Sequence, residues 1–161
     1  MTRPIRFLIR KLSIALHRSR KETHIMPLRN IRNAVVLLDW KAPDCAKTAE
    51  LAKEFFGRRS IGVFIIDASG RNSFNIFGRL RRRVRIPAKG KGKRAENLFI
   101  SLVTEACYAE EYEARCSRAV FKIGRNKFSK PVYDMELGRG RKPYSQVEAF
   151  LAIKDYLEKV V

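Results

Sequence analysis

The sequence has few histidines, tryptophans and cysteines, and it has no long apolar run. Its 161 residues include two histidines, one tryptophan and three cysteines. Both histidines, His17 and His24, lie near the amino terminus, which excludes a Ser-His or Cys-His catalytic relay within the folded domain. No stretch of about 20 apolar residues is present, so no segment is predicted to span a membrane.

The cysteines do not form a disulfide or zinc pattern. Cys45, Cys107 and Cys116 are odd in number and show no paired spacing, which indicates a reducing cytoplasm. Cys107 and Cys116 are nine residues apart, whereas zinc-binding cysteine pairs are usually about two to four apart. We therefore expect no metal site.

Acidic residues are absent from the most basic part of the chain. Residues 71–94 hold ten Lys/Arg and no Asp/Glu, and residues 1–33 hold nine Lys/Arg against one Glu. These two blocks account for +18 of the formal net charge of +19. Charge concentrated in this way indicates a polyanionic partner, because like charges repel one another until an anion screens them.

Residues 71–94, the basic arm, are predicted to contact phosphates. Arginine forms forked contacts with phosphate, and Gly90 and Gly92 make the lysine-rich half flexible. Phe74, Phe77 and Phe128 are candidates for stacking on bases, with packing in the core as the alternative. The predicted nucleic-acid-binding residues are Arg79, Arg81, Arg82, Arg83, Arg85, Lys89, Lys91, Lys93 and Arg94.

The basic arm does not match a nucleotide-binding loop. Its Gly90-Lys91-Gly92-Lys93 lacks the spacing and the following Ser/Thr of a P-loop, and residues 39–44 lack the Gly-x-Gly-x-x-Gly fingerprint. We expect no cofactor and assign no small-molecule substrate.

From residue 34 onward, apolar runs alternate with helical periodicity. Strands are predicted over 34–40, 61–66, 98–103 and 119–123, with an edge strand over 132–137. Helices are predicted over 44–57, 104–116 and 144–160. The inner face of the last helix is predicted to hold Val147, Phe150, Leu151, Ile153, Leu157 and Val160. This alternation predicts the α/β class, a single three-layer Rossmann-like domain with a mostly parallel sheet of about five strands.

The predicted organisation is a basic leader, 1–33, followed by the domain, 34–161, with the basic arm as an insertion. Within the leader, residues 3–21 favour a basic amphipathic helix. Such a helix binds an anionic lipid surface or docks in a groove of structured RNA, and the sequence leaves both open.

Carboxylates are the candidates for acid/base catalysis. Asp39 and Asp67 follow predicted strands, where open α/β sheets build their sites, and could form an acid/base pair. The alternative is that each begins a loop, as aspartate often does. A solvated acidic face opposite the basic arm is predicted for Glu105, Glu110, Glu111 and Glu113. We expect a non-catalytic protein.

The carboxyl-terminal third contains the segment from Arg118 to Arg125, the segment Val132 to Glu136 and a closing amphipathic helix. In these segments the chain resembles a family of small basic Bacteroidota proteins catalogued as a domain of unknown function. The resemblance extends back to the strand at Ala34, with the basic leader before it, and so covers most of the chain. It implies no activity.

The same region is distantly similar to the amino-terminal half of heptosyltransferase-type glycosyltransferases, in a strand, a helix and a following Ile-Gly segment at 122–124. Relatives carry Asp where this chain has Asn97 and Ser101, which argues against chemistry that needs those acids. The second, nucleotide-sugar-binding lobe is expected to be lacking, so the resemblance implies a half-fold retained for binding.

Taken together, the sequence predicts a non-catalytic polyanion-binding protein whose favoured partner is RNA, ribosomal RNA in particular, with DNA left open. The alternatives are a peripheral membrane-surface protein held by its amino-terminal helix and a degenerate glycosyltransferase-like enzyme. The expected location is the cytoplasm, in association with ribosomes or the inner membrane.

Overall fold

The computed structural model describes residues 25–66, 96–138 and 145–160, together with six helical positions of the leader. Those leader positions are 7, 8, 11, 12, 14 and 15. We refer to the three longer ranges as the described domain.

The described domain contains a five-stranded sheet. Its strands are β1 (Asn33–Leu37), β2 (Gly62–Ile66), β3 (Leu98–Ser101), β4 (Phe121–Gly124) and β5 (Met135–Glu136). The strand order is β2-β1-β3-β4-β5, and every neighbouring pair is parallel. The predicted α/β class and sheet are therefore confirmed, in the flavodoxin-like order of doubly wound folds.

Helices cover both faces of this sheet. They are α1 (Cys45–Gly57), α2 (Tyr108–Cys116) and α3 (Gln146–Lys159). Alternate residues of β1 enter two separate cores, because successive side chains of a strand point to opposite faces. Val36 packs in the core that includes Phe56 of α1 and Phe150 of α3. Val35 packs in the other core, with Ala114 of α2, so the three-layer prediction is confirmed.

Several predicted boundaries differ from the structure. The helix predicted over 104–116 begins only at Tyr108, because residues 104–107 form a loop at the end of β3. The edge strand lies at the edge, as predicted, but only Met135 and Glu136 pair with β4. Leu151 was predicted on the inner face of the last helix, and this is wrong: it is 40% exposed and lines a groove between α1 and α3.

Polar contacts fix the start of α3 at the carboxyl edge of the sheet. The Ser145 hydroxyl accepts a hydrogen bond from the Glu148 amide (3.1 Å), and the Glu148 side chain accepts one from the Ser145 amide (2.7 Å). The Val147 amide donates to Asp44 Oδ2 (3.0 Å) in the loop before α1. The reciprocal cap satisfies amides at the amino terminus of α3. The hydrogen bond to Asp44 holds that terminus beside the loop that follows β1.

Candidate functional site at the carboxyl edge of the sheet

The carboxyl ends of β1 and β3 mark the point at which the strand order reverses direction. The chain leaves β1 towards α1 and β2, and it leaves β3 towards α2 and β4, so the two loops diverge. Open parallel sheets bind ligands in the crevice between such loops. This crevice is therefore where the fold favours a site.

Asp39 bridges the two loops of the crevice. Its carboxylate accepts hydrogen bonds from the backbone amides of Lys41 (3.1 Å) and Thr104 (2.9 Å). Burial raises the pKa of this carboxyl, but the hydrogen bonds from Thr104 and Lys41 outweigh it, so the net pKa is below its ordinary value. One carboxylate thus accepts hydrogen bonds from both loops of the crevice.

The predicted acid/base pair consists of Asp39 and Asp67, and only Asp39 lies among the described residues. The Asp39 amide donates to Gln146 Oε1, which ties the end of β1 to the start of α3. With its backbone and its carboxylate both engaged, Asp39 acts as a brace between the loops.

A buried carboxylate, Glu110 of α2, lies behind the crevice with no exposed surface. Its Oε1 accepts hydrogen bonds from the hydroxyls of Ser101 (2.8 Å) and Tyr133 (2.7 Å). Its Oε2 accepts one from Asn126 Nδ2 (2.9 Å), which also donates to the Val103 carbonyl (2.8 Å). Three neutral donors from three parts of the chain therefore hold one carboxylate in the interior.

Burial dominates the titration of this cluster. It raises the pKa of the Glu110 carboxyl, and the three hydrogen bonds oppose the rise without cancelling it. Burial beside Glu110 also raises the pKa of the Tyr133 phenol well above its ordinary value, so that hydroxyl stays a donor. The Tyr133 ring lies directly against Gly124, where a Cβ atom would clash with it. The cluster thus joins α2 to β3 and to the segment between β4 and β5 by polar contacts.

The predicted acidic face on residues 105–113 is wrong. Glu110 is fully buried and Glu113 is 4% exposed, while Glu105 is exposed. Glu111 is half-buried and accepts hydrogen bonds from Arg115 (2.8 Å and 3.0 Å) on the same helix. The sequence did hold a signal, because Ser101 interrupts an apolar strand and a buried hydroxyl needs a polar partner.

Asn97 and Ser101, the positions at which the predicted resemblance implied Asp, have structural partners here. The Asn97 side-chain oxygen accepts hydrogen bonds from the amides of Arg32 (2.9 Å) and Asn33 (3.2 Å), at the start of β1. The Ser101 hydroxyl donates to Glu110. Both side chains support the sheet from within the domain.

A groove of about 500 Å³ lies between α1 and α3. Apolar side chains of both helices, including Phe55, Phe150 and Leu151, form part of its wall. Its rim carries two ion pairs, Arg59 with Glu158 (2.5 Å) and Arg58 with Glu54, and one further cation, Lys154. Charges of both signs in nearly equal number give this groove little attraction for a polyanion.

One lysine of the described domain is buried. Lys122 is 2% exposed, and its Nζ donates to the Ala114 carbonyl (2.8 Å). Burial lowers the pKa of this ammonium group, and the nearby Asp134 and Glu96 oppose that effect. The amide of Lys122 also donates to Asp134 Oδ2 (2.7 Å). This cation therefore serves the interior and contributes nothing to a binding surface.

Charge is divided sharply between the described domain and the rest of the chain. The described domain contains 15 Lys/Arg and 14 Asp/Glu, a net charge of +1. The remaining residues hold 20 Lys/Arg and two acids, Glu22 and Asp67, a net charge of +18.

Two of the basic segments begin at the carboxyl edge of the sheet. Residues 67–95 follow the last residue of β2, and residues 139–144 connect the end of β5 with the amino terminus of α3. The nine predicted contact residues from Arg79 to Arg94 lie outside the described residues, as do Phe74 and Phe77. Phe128 is described: it packs against the second core, with its ring 6.1 Å from that of Tyr133.

The described residues contain neither a metal-binding cluster nor a membrane-spanning helix. Within them, no group of three or more His, Cys, Asp or Glu side chains is arranged to hold a metal ion. None of the helices in this part of the chain combines the length and apolar character needed to cross a bilayer. Cys45, Cys107 and Cys116 are not joined in a disulfide bond.

No protein-family model, curated protein or solved structure matches this chain. The resemblances to the Bacteroidota family and to heptosyltransferase-type enzymes therefore stay predictions. The fold class is established by the sheet itself: a doubly wound α/β domain with five parallel strands.

Proposed function

We propose that the protein binds RNA, ribosomal RNA in particular, through its basic arm, with the leader adding positive charge. The observation that carries the proposal is the division of charge, in which a nearly neutral domain bears segments with a net charge of +18. Positive charges in this number repel one another unless an anion neutralises them.

The described domain does not supply that anion. Its 14 acids are matched by 15 Lys/Arg, and Glu110 of α2 is buried among neutral donors. The only acids outside it are Glu22 and Asp67. A partner that brings many phosphates at close spacing meets this requirement.

RNA is favoured over duplex DNA on the composition of the arm. Arginine forks and lysines alternating with glycine suit the irregular phosphate positions of folded RNA, and no recognition helix is needed for such contacts. The placement of segments 67–95 and 139–144 after the carboxyl ends of β2 and β5 agrees with the edge that open α/β sheets use for binding.

The test is fractionation of a gently lysed native host, with and without RNase, at low and moderate salt. We expect the protein to sediment with ribosomes or other RNA, to leave that fraction after RNase, and to leave it also at higher salt. Crosslinking would then map the contacts to residues 79–94. Sedimentation that RNase leaves unchanged would contradict the proposal.

A further inference from the structure

We propose that the leader helix is a second binding site, separate from the basic arm, and that its partner is an anionic lipid surface. The site consists of Phe7, Leu8 and Leu12 with the adjacent Lys11. Each of these four residues is helical and exposed.

Three large apolar side chains of this helix are exposed. Phe7 is 58% exposed, Leu8 59% and Leu12 63%. In the rest of the described chain only Ile25 and Leu151 are large hydrophobic residues with comparable exposure, and they stand singly. Three such residues within six positions form a patch, which indicates an interaction surface.

The cations in the same part of the sequence indicate what kind of partner this patch can bind. Residues 1–24 hold seven Lys/Arg and one Glu, and Lys11 Nζ lies 4.7 Å from the centre of the Phe7 ring. A second copy of the helix would bring like charges together, and the described domain, at +1, offers no compensating field. The partner must therefore carry negative charge of its own.

An anionic bilayer surface accepts both parts of the site. Its headgroups attract Lys and Arg, and its acyl boundary takes up Phe and Leu, as it does for interfacial amphipathic helices. RNA meets only the first requirement, since Leu8 and Leu12 have no aromatic face to stack on a base. The apolar side chains therefore favour lipid over RNA at this site.

The test is co-sedimentation of the full, RNase-treated protein with vesicles of phosphatidylcholine alone or with about 30% phosphatidylglycerol. We expect binding only to the anionic vesicles. The variant Phe7→Ser/Leu8→Ser/Leu12→Ser should bind them at least about tenfold more weakly, because three apolar side chains no longer insert. Leu151→Ser is the matched control and should bind like the wild type.

RNA affinity separates this proposal from the proposed function. The triple leader variant should bind RNA within about twofold of the wild type, because it keeps every cation. Circular dichroism checks that the α/β domain of this variant is folded. Unchanged vesicle binding by the triple variant would overturn the proposal, as would an equal loss of RNA and vesicle binding.

Discussion

The described domain and the segments attached to it differ in how their charges are arranged. In the domain, 15 Lys/Arg face 14 Asp/Glu, and several pair directly, as Arg59 does with Glu158 and Arg115 with Glu111. In the remaining residues, 20 Lys/Arg accompany two acids. A chain that needed charge only for solubility would mix the signs over its surface, since mixed surfaces serve that purpose well.

The comparison also separates two uses of polar groups. Inside the domain, Asp39, Glu110 and Lys122 each contact partners from other elements and thereby fix loops and helices. Outside the domain, 20 Lys/Arg accompany only two acidic residues, so most of these cations have no acid in the same segments to pair with. We infer that the domain is a scaffold and that binding belongs to the attached segments. Each half of this division can be tested by substitution.

The largest effect is expected from reversing charge in the arm. The variant Arg81→Glu/Arg82→Glu/Arg83→Glu/Arg85→Glu should bind RNA about a thousandfold more weakly, because four phosphate contacts become repulsive. Filter binding or fluorescence anisotropy at fixed salt measures this. The charge-matched control reverses exposed residues of the described domain that lie outside the leader and should stay within about threefold of the wild type; it is Lys47→Glu/Lys53→Glu/Lys130→Glu/Lys159→Glu. An equal loss of RNA affinity in both variants would contradict the assignment of binding to the arm and not to the domain.

Glu110→Leu should strongly destabilise the domain. It leaves three buried donors, on Ser101, Asn126 and Tyr133, without their acceptor, at a cost of about 3 to 5 kcal/mol in the free energy of unfolding. Urea denaturation measures the loss, and Glu50→Leu on the exposed side of α1 is the control. Stability within about 0.5 kcal/mol of the wild type would show that the cluster does not support the fold.

Asp39→Ala should have an intermediate effect. The amides of Lys41 and Thr104 lose their shared acceptor, which we expect to lower the free energy of unfolding by about 1 to 3 kcal/mol. Hydrogen exchange should show faster exchange at Thr104 than in the wild type. Weaker RNA binding by this variant, measured while it is folded, would place Asp39 in the binding surface and not in the scaffold.

Removing the helix cap should cost less. Ser145→Ala deletes the hydroxyl that accepts from the Glu148 amide, an effect of about 1 kcal/mol in the free energy of unfolding. Thermal or urea denaturation measures it, with Ser145→Asp as a variant expected to restore the cap. Failure of the aspartate to recover stability would argue against the capping role.

The smallest expected effect is on how the free energy of unfolding depends on pH. The pKa of Glu110 is higher in the folded protein than in the unfolded chain, so the folded state binds this proton more tightly. Its stabilising contribution is full below the ordinary glutamate pKa of about 4.5 and is lost as pH rises through the folded-state value. The difference in free energy of unfolding between wild type and Glu110→Gln should therefore grow as the pH falls.

A difference curve is the right measurement because other carboxyls titrate in the same range. Burial raises the pKa of Asp134, and the hydrogen bonds that Asp39 accepts outweigh its burial and lower its pKa. Wild type and variant both contain these two groups, so their titration cancels in the difference. A difference that is constant with pH would contradict the assignment to Glu110.

The sequence predicted the parts of the fold that depend on local pattern. The apolar runs around Val36, Ile65 and Ile100 became parallel strands because strands buried on both faces need continuous hydrophobicity. The phenylalanines Phe55 and Phe56 lie on the buried side of α1, as their helical spacing indicated.

Long-range partners explain what local pattern missed. Glu110 is a charged residue type, and its sequence neighbours do not predict that it is buried. Its hydrogen-bond donors are 9 to 23 positions away in the chain: Ser101, Asn126 and Tyr133. Asp39 was recognised as a residue of the carboxyl edge, but its role as a brace depends on Thr104, which is 65 positions away. For the basic arm, the structure adds only the point of attachment at the end of β2.

The most direct test of the division is the salt dependence of RNA binding by the wild type and the two charge-matched quadruple variants. If the nine predicted arm residues neutralise phosphates of single-stranded RNA, the slope of log K against log salt is about −6 for the wild type and the domain variant. The arm variant keeps only five of these nine cations and should give a slope of about −3.5. An arm variant that keeps the wild-type slope, while the domain variant does not, would place the binding surface on the scaffold and contradict the account.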